Sequence, residues 1–391
     1  MTNTTIFHPK YFLLMGIPGL EHSHFLISIP FCIMYILALV GNATLLVIIS
    51  ASESLHQPMY IFLAMLTGTD LLLSTSAIPK ALSIFWLNCR EILFDSCLIQ
   101  IFSIHFLFVV ESSILLTMAL DRFVAICYPL TYSVIITNLF IKKMILVTII
   151  RALCIITPLI FLLNRLPYQN SIEIPHTYCE HMGVARMATA DVSVNYMYGL
   201  LAALCSTGVD MILIFVSYVM IFWTVIKLRS TKARSKAFNT CGTHVCVILL
   251  FYIPAFFSFI AHRVAEGKIP PQAHILLANL YVLVPPMMNP IIYGVRTKEI
   301  HKCKEKVIDS QHGQKHEHWL VESVILNNDI IDKSIPSDRG EGRDLVMTRS
   351  GSERKETSVP LSELWGDGVQ LPPSISALLT GFYELLTAGC R

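Results

Sequence analysis

Seven stretches of this chain stay predominantly apolar for 20 residues or more, with polar clusters between them: residues 26–49, 58–82, 99–127, 144–163, 192–226, 237–261 and 274–295. A helix needs about 20 such residues to cross the hydrocarbon of a bilayer. The pattern therefore predicts an all-α membrane protein, a bundle of seven transmembrane helices. The third stretch holds four ionisable residues, His105, Glu111, Asp121 and Arg122. Each would be costly against lipid, so this helix is predicted to face protein on most sides and to stand at the centre of the bundle.

The connections carry the orientation. One set of loops, with the segment after the seventh stretch, holds 13 Lys and Arg, among them Lys227, Arg229, Lys232, Arg234 and Lys236 between the fifth and sixth stretches. The opposite set holds seven. Basic loops stay cytosolic, which predicts a cytosolic C-terminus and, with an odd number of spans, an N-terminus outside. Asn3-Thr4-Thr5 is an N-glycosylation acceptor on that outer side. The first 25 residues lack the basic, apolar and small-residue succession of a cleaved signal, so the first span is expected to target the chain to the membrane.

Composition agrees and divides the chain in two. Of 391 residues 54% are hydrophobic and 14% charged, against about a quarter charged in average soluble domains, and the mean hydropathy is +0.61. A disordered or collagen-like chain is excluded, and a net charge of +2 offers no basic surplus for nucleic acid. Residues 1–308 hold 21 Lys and Arg against 14 Asp and Glu, a net +7, whereas residues 309–391 hold 8 against 13, a net −5. The expected organisation is an extracellular N-terminus over 1–25, the seven-helix domain over 26–295, a basic juxtamembrane segment over 296–308 and a solvated, disordered cytosolic tail over 309–391. His312, His316 and His318 in the tail read as a solvated stretch rather than a metal site.

Candidate chemistry is sparse. The 11 cysteines show no C-x-x-C pair, and no H-E-x-x-H, G-x-S-x-G or phosphate-binding glycine loop occurs, so neither an enzyme nor a cofactor or metal site is expected. No internal repeat points to a transporter. Cys97 opens the third span on the outer side and Cys179 lies in the long connection of residues 164–191. The pair reads either as a bridge pinning that loop over the bundle or as two free thiols. From Cys97 to Arg122 is about 37 Å of helix, so the two residues mark opposite faces, and His105 falls about two turns below the outer one. There it lines a pocket or bonds to a neighbouring helix.

The segment Met118-Ala119-Leu120-Asp121-Arg122-Phe123-Val124-Ala125-Ile126-Cys127, followed by Tyr128-Pro129-Leu130, resembles the signature of odorant (olfactory) receptors within the rhodopsin-like G-protein-coupled receptors. Gly41-Asn42, Pro58-Met59-Tyr60-Ile61-Phe62-Leu63, Asp70, Ser217-Tyr218, Lys236-Ala237-Phe238-Asn239-Thr240-Cys241 and Pro286-Met287-Met288-Asn289-Pro290-Ile291-Ile292-Tyr293 match in order and spacing. The text Cys179-Glu180-His181-Met182-Gly183-Val184-Ala185-Arg186 resembles the class I, fish-like branch, and the likeness covers about residues 11–306.

The resemblance implies roles. Asp121 and Arg122 would form the ion pair that restrains the inactive bundle, with Tyr218 and Tyr293 as partners of the arginine in the active state. Asn42, Asp70, Glu111 and Asn289 would form a central polar network, with sodium at Asp70 and Glu111 or hydrogen bonds alone. Arg263, about 40 Å along its helix from Lys236, and His105 would anchor a carboxylic acid, where a lone transmembrane arginine would read as a snorkelling cation. Phe106, Val109, Ser112, Met182 and Phe259 are candidate walls. The partners implied are a small-molecule odorant, a stimulatory heterotrimeric G protein of the olfactory type and the lipid bilayer, at the plasma membrane. A rhodopsin-like receptor for a neutral small molecule or peptide is the alternative, and a transporter a more remote one. Two features depart from the family: the tail, and a second extracellular loop without the additional cysteine pair of many relatives, which predicts a looser loop.

Overall fold

A computed structural model describes residues 8–168, 173–264 and 270–296, excluding the side chains of 259–264, 295 and 296. Asn3 and the segments after residue 296 lie outside the described residues. Among the described residues, seven helical spans are long and apolar enough to cross a membrane. The first is α1 (His24–Ala51) and the second α2 (Pro58–Leu87), which starts on a proline, where a missing N–H costs nothing, and stops at Asn88 in the left-handed region at φ 54°. The third, α3 (Phe94–Cys127), follows the short strand β2 (Glu91–Leu93). After α4 (Tyr132–Ile135) comes the fourth span, α5 (Asn138–Asn164), capped by Thr137, whose hydroxyl accepts from Phe140 N. The loop beyond holds β3 (Glu173–Ile174) and α6 (His181–Ala185). The fifth span runs α7 (Ser193–Ala203), one wide π-helical turn (Leu204–Gly208) and α8 (Val209–Ile226). The last two are α9 (Thr231–Val264) and α10 (Pro271–Arg296). α5 and α9 begin before their apolar stretches, at Asn138 and Thr231, because first turns that carry Lys142 and Lys143, or Lys232, Arg234 and Lys236, are polar and reach past the hydrocarbon.

The third span is the central one, as its ionisable residues require: 72% of its most apolar window is buried, against 22% for the fourth span. It packs on α2, α5 and α8, while α1 packs between α2 and α10 and α9 lies on α10. Gly41 lets α1 approach α10, since a Cβ there would stand 2.8 Å from Pro290 Cγ. Outward faces carry Phe161, Phe215 and Trp223, apolar side chains suited to lipid.

One end of the bundle carries a lid. The segment before the first helix, expected as a plain terminus, contains β1 (Tyr11–Leu14), because its side chains alternate in burial as in a half-buried strand. β1 pairs antiparallel with β2 and parallel with β3, giving the order β2-β1-β3. Phe12, Leu14 and Ile17 are fully buried beneath it. Gly16 and Gly19, at φ 76° and 81°, turn the chain from the strand into α1. The described part of the loop carrying β3 is held to the bundle at several points. Cys179 is joined to Cys97, with Cα atoms 5.5 Å apart, and the Cys179 N–H donates to Gln100 Oε1 at 2.9 Å. Thr177 donates to Asn279 Oδ1 at 2.9 Å and Tyr178 to the Ala278 carbonyl at 3.2 Å. One bridge and hydrogen bonds to two helices thus fix residues 177–179 of the loop.

Candidate functional site

Beneath the lid lies a cavity of about 170 Å³, on the scale of an apolar cavity that accepts a benzene-sized molecule. Ile104, Phe108 and Val109 of α3 and Ile155, Ile156 and Leu159 of α5 supply apolar wall, and Gly199, Ala202 and Ala203 of α7 supply a wall of small residues. Tyr281 and Phe108 close one side, their rings 5.3 Å apart. The residues with polar groups are fewer: His105, Glu180, His181, Ser206, Thr207 and Ser258, with the hydroxyls of Tyr178 and Tyr281. His105 Nδ1 lies 2.8 Å from the Ile101 carbonyl. A carbonyl only accepts, so Nδ1 carries the proton and Nε2 is left for other work. The His181 ring stands edge-on at 6.2 Å. Glu180 caps α6, its Oε2 accepting from Gly183 N at 2.8 Å.

Of the expected ligand residues, His105, Val109 and Met182 line the cavity. Two others are placed elsewhere: Phe106 stacks on Phe102 at 5.5 Å, and Ser112 lies deeper. Phe106 leaves α3 toward Phe102, whereas Ser112 shares the face of His105, Phe108 and Val109 but stands one turn deeper, where Asp210 and Tyr252 take its hydroxyl. The side chains of Phe259 and Arg263 lie outside the described residues, although Arg263 falls in the last turn of α9.

Ser112 belongs to a buried network on which the cavity floor rests. Its hydroxyl donates to Asp210 Oδ2 at 2.7 Å and shares a bond of 2.9 Å with the Tyr252 hydroxyl. Arg151 donates to both Asp210 oxygens at 2.8 Å and to the Ser206 carbonyl at 2.9 Å. Four spans thus share one polar cluster beside the π-helical turn. Sequence reasoning missed Arg151, Asp210 and Tyr252. The signal was available, since Arg151 and Asp210 are opposite charges inside apolar stretches and each needs a partner.

Deeper still, Asn289 Nδ2 donates to both Asp70 oxygens, at 3.2 and 3.0 Å, and Asn42 Nδ2 donates to the Pro286 carbonyl at 2.8 Å. Glu111 is fully buried and close enough to interact with the charge of Asp70. Both its oxygens, with Asn42 Oδ1 and Asn289 Oδ1, have no hydrogen-bond partner. At the end opposite the lid, Asp121 accepts from the Tyr132 hydroxyl at 2.7 Å. It is not paired with Arg122, the one ion pair among the described residues being Arg151 with Asp210. Tyr218 is hydrogen-bonded to His244 Nδ1, a partner that was not foreseen.

A lidded apolar cavity at one end of seven helices, joined by buried polar clusters to the other end, defines a seven-helix receptor bundle. The fold is that of squid rhodopsin, whose crystal structure matches with a TM-score of 0.60 at 16% identity, over 74% of this chain and 86% of that one. The family model described as olfactory receptor matches residues 31–311, and the chain belongs to that family. Human olfactory receptor 52B2 is 54% identical over 77% of this chain and 93% of its own length, and human olfactory receptor 52D1 is 54% identical over 77% and 94%. The chain is therefore an olfactory-type G-protein-coupled receptor, a multi-pass plasma-membrane protein and not an enzyme, whose partners are a small-molecule odorant and a G protein.

Proposed function

We propose that the receptor binds a small carboxylic acid from the extracellular, lidded side and activates, at the Asp121 end, a stimulatory G protein that raises cAMP. The observation that carries this reading is His105 on the wall of a largely apolar cavity of about 170 Å³. With Nδ1 committed to a backbone carbonyl, Nε2 accepts from an undissociated acid or, protonated, donates to a carboxylate. Arg263 at the outer end of α9 would supply the second, bidentate contact. Agonist contacts would act by population shift, favouring the bundle in which the end of α9 opposite the lid moves outward from its kink at Pro254. Arg122, Tyr218 and Tyr293 would then meet the G protein or one another. The oxygen-only set of Asp70, Glu111, Asn42 and Asn289 suits a hard cation such as sodium, which would hold the resting packing.

One observation favours a neutral ligand instead: the Glu180 carboxyl lines the same cavity and would repel an acid. The experiment is cAMP output, with surface level monitored, across acids of increasing length and their matched alcohols and esters, for wild type, His105→Ala and Arg263→Ala. Response to acids alone, abolished in Arg263→Ala at equal surface level, supports the acid reading. Equal response to alcohols, or a normal Arg263→Ala, leaves the neutral one.

A further inference from the structure

Asn195 on α7 is 1% exposed, yet neither its Nδ2 nor its Oδ1 has a hydrogen-bond partner. Its neighbours Val194, Met197 and Leu201 are exposed on the outer surface of the bundle, so the amide is turned inward and not toward lipid. Other buried amides near the lid are fully used. Asn279 Oδ1 accepts from Thr177 and its Nδ2 donates to the Ile275 carbonyl, while Gln100 accepts from Cys179 N and donates to the Ser76 carbonyl. A buried amide with neither bond made is unfavourable unless something outside the protein supplies the partner.

Its place on the helix says what that is. Asn195, Gly199, Ala202 and Ser206 recur at intervals of four, three and four residues, which puts them on one face of the fifth span. Gly199, Ala202 and Ser206 line the cavity. Asn195 itself does not line the cavity; it lies one turn, about 6 Å, beyond Gly199 on the same face toward the lid, and Gly199 has no side chain to stand between the two. α6, whose His181 and Met182 line the same cavity, packs against α7.

We propose that Asn195 is a second polar anchor of the ligand cavity, and that the receptor takes bifunctional ligands whose second group both donates and accepts hydrogen bonds, as a hydroxyl or carboxamide does. An ether or ester oxygen would serve Nδ2 alone, and a methyl end neither atom. The inference rests on reading the cavity as the odorant site, but not on whether the first polar group is an acid.

The test is cAMP potency, at matched surface level, for one medium-chain acid and its ω-methoxy, ω-hydroxy and ω-carboxamide forms, with an alcohol and its matching diol as the neutral set. Wild type is compared with Asn195→Leu, which keeps the volume, and Asn195→Ser, which keeps one polar atom. In wild type the hydroxyl or carboxamide end is expected to raise potency at least about tenfold over the methyl end. That ratio falls to about one in Asn195→Leu, while the methyl-ended compounds keep their potency. Equal ratios in wild type and Asn195→Leu overturn the proposal, as does a wild-type preference for the methyl end. Thermal stabilisation of the purified receptors by the same compounds gives a second readout. A variant that is merely more stable, with the same compound ranking as wild type, means that the amide holds water only. If no compound raises cAMP in wild type, the reading of function fails, and stabilisation by the diol in wild type but not in Asn195→Leu still decides the anchor.

Discussion

Arg151 and Asp210 face each other across the fourth and fifth spans in a two-pronged ion pair, each prong 2.8 Å long. Asp210 is fully buried and also accepts from Ser112, which bonds Tyr252 of α9. Breaking such a pair from one side leaves an uncompensated charge and costs about 3–5 kcal/mol, whereas replacing both partners by apolar residues is often close to neutral. Arg151→Met and Asp210→Leu are each expected to lose most surface expression, and the double variant to recover much of it. A double variant no better than either single one, measured by surface labelling and thermal unfolding of purified receptor, would show that the pair does not act as a unit.

The disulfide leads to a second expectation. Cys97 and Cys179 are 82 residues apart in sequence, and their bond holds the loop that roofs the cavity. Removing a native bridge from a small domain costs about 2–5 kcal/mol. Cys97→Ala and Cys179→Ala should therefore behave alike, and the double variant should be no worse than either. Ligand response should fall further than surface level does, because the roof residues Tyr178, Glu180, His181 and Met182 flank the bond. Equal losses of the two would mean that the bridge serves folding alone.

Much of the fold was legible in the sequence because the bilayer permits few backbones. Seven apolar runs imply seven helices, and the ionisable residues of the third run placed it centrally. The lid was not legible: Tyr11 to Leu14 is too short to declare a strand by periodicity, and its partners lie some 80 and 160 residues away in the chain. At the site, spacing along α3 located His105, but a residue count does not say how deep the cavity reaches or which neighbours claim a side chain: Phe106 stacks on Phe102, and Ser112 is taken by Asp210 and Tyr252 one turn below Val109. Arg151 and Asp210 each call for a partner, but they lie 59 residues apart on different spans, and the sequence does not say which spans stand side by side.

Gly41 offers a test of the packing that needs no ligand. A Cβ at this position would come 2.8 Å from Pro290 Cγ and 3.0 Å from its Cβ. A proline ring has no rotamer by which to yield, so α1 and α10 must separate. Overpacking of this kind costs about 1–3 kcal/mol. Gly41→Ala is expected to lower the thermal midpoint of the purified receptor, and Gly41→Val to lower it more. Gly242, beside which an added Cβ meets nothing within 4 Å, is the control, and Gly242→Ala should be neutral or slightly stabilising. If the two alanine variants behave alike, the close approach of α1 to α10 is not as described.

Tyr132 and Asp121 tie α4 to the end of α3 through a bond of 2.7 Å to a carboxylate that is 2% exposed. Burial, and then the bond to Asp121, push the Tyr132 hydroxyl above its ordinary pKa. It therefore stays a donor throughout the neutral range. The stability it contributes is present in full below the unfolded tyrosine value of about 10 and is lost as pH rises from there toward the raised folded value. With Asp121 held by Tyr132, Arg122 is left without an acid partner among the described residues. Tyr132→Phe removes the competing donor and lets Asp121 turn to Arg122. A hydrogen bond to a charged group contributes about 1.5–3 kcal/mol, so agonist potency in the cAMP assay should fall by about tenfold or more at equal surface level, with basal output no higher than in wild type. Raised basal output in Tyr132→Phe would reverse the assignment and make the tyrosine a restraint on the resting bundle. Asp121→Asn separates the two cases, because an amide oxygen still accepts from Tyr132 while its weaker pull on Arg122 leaves the arginine free.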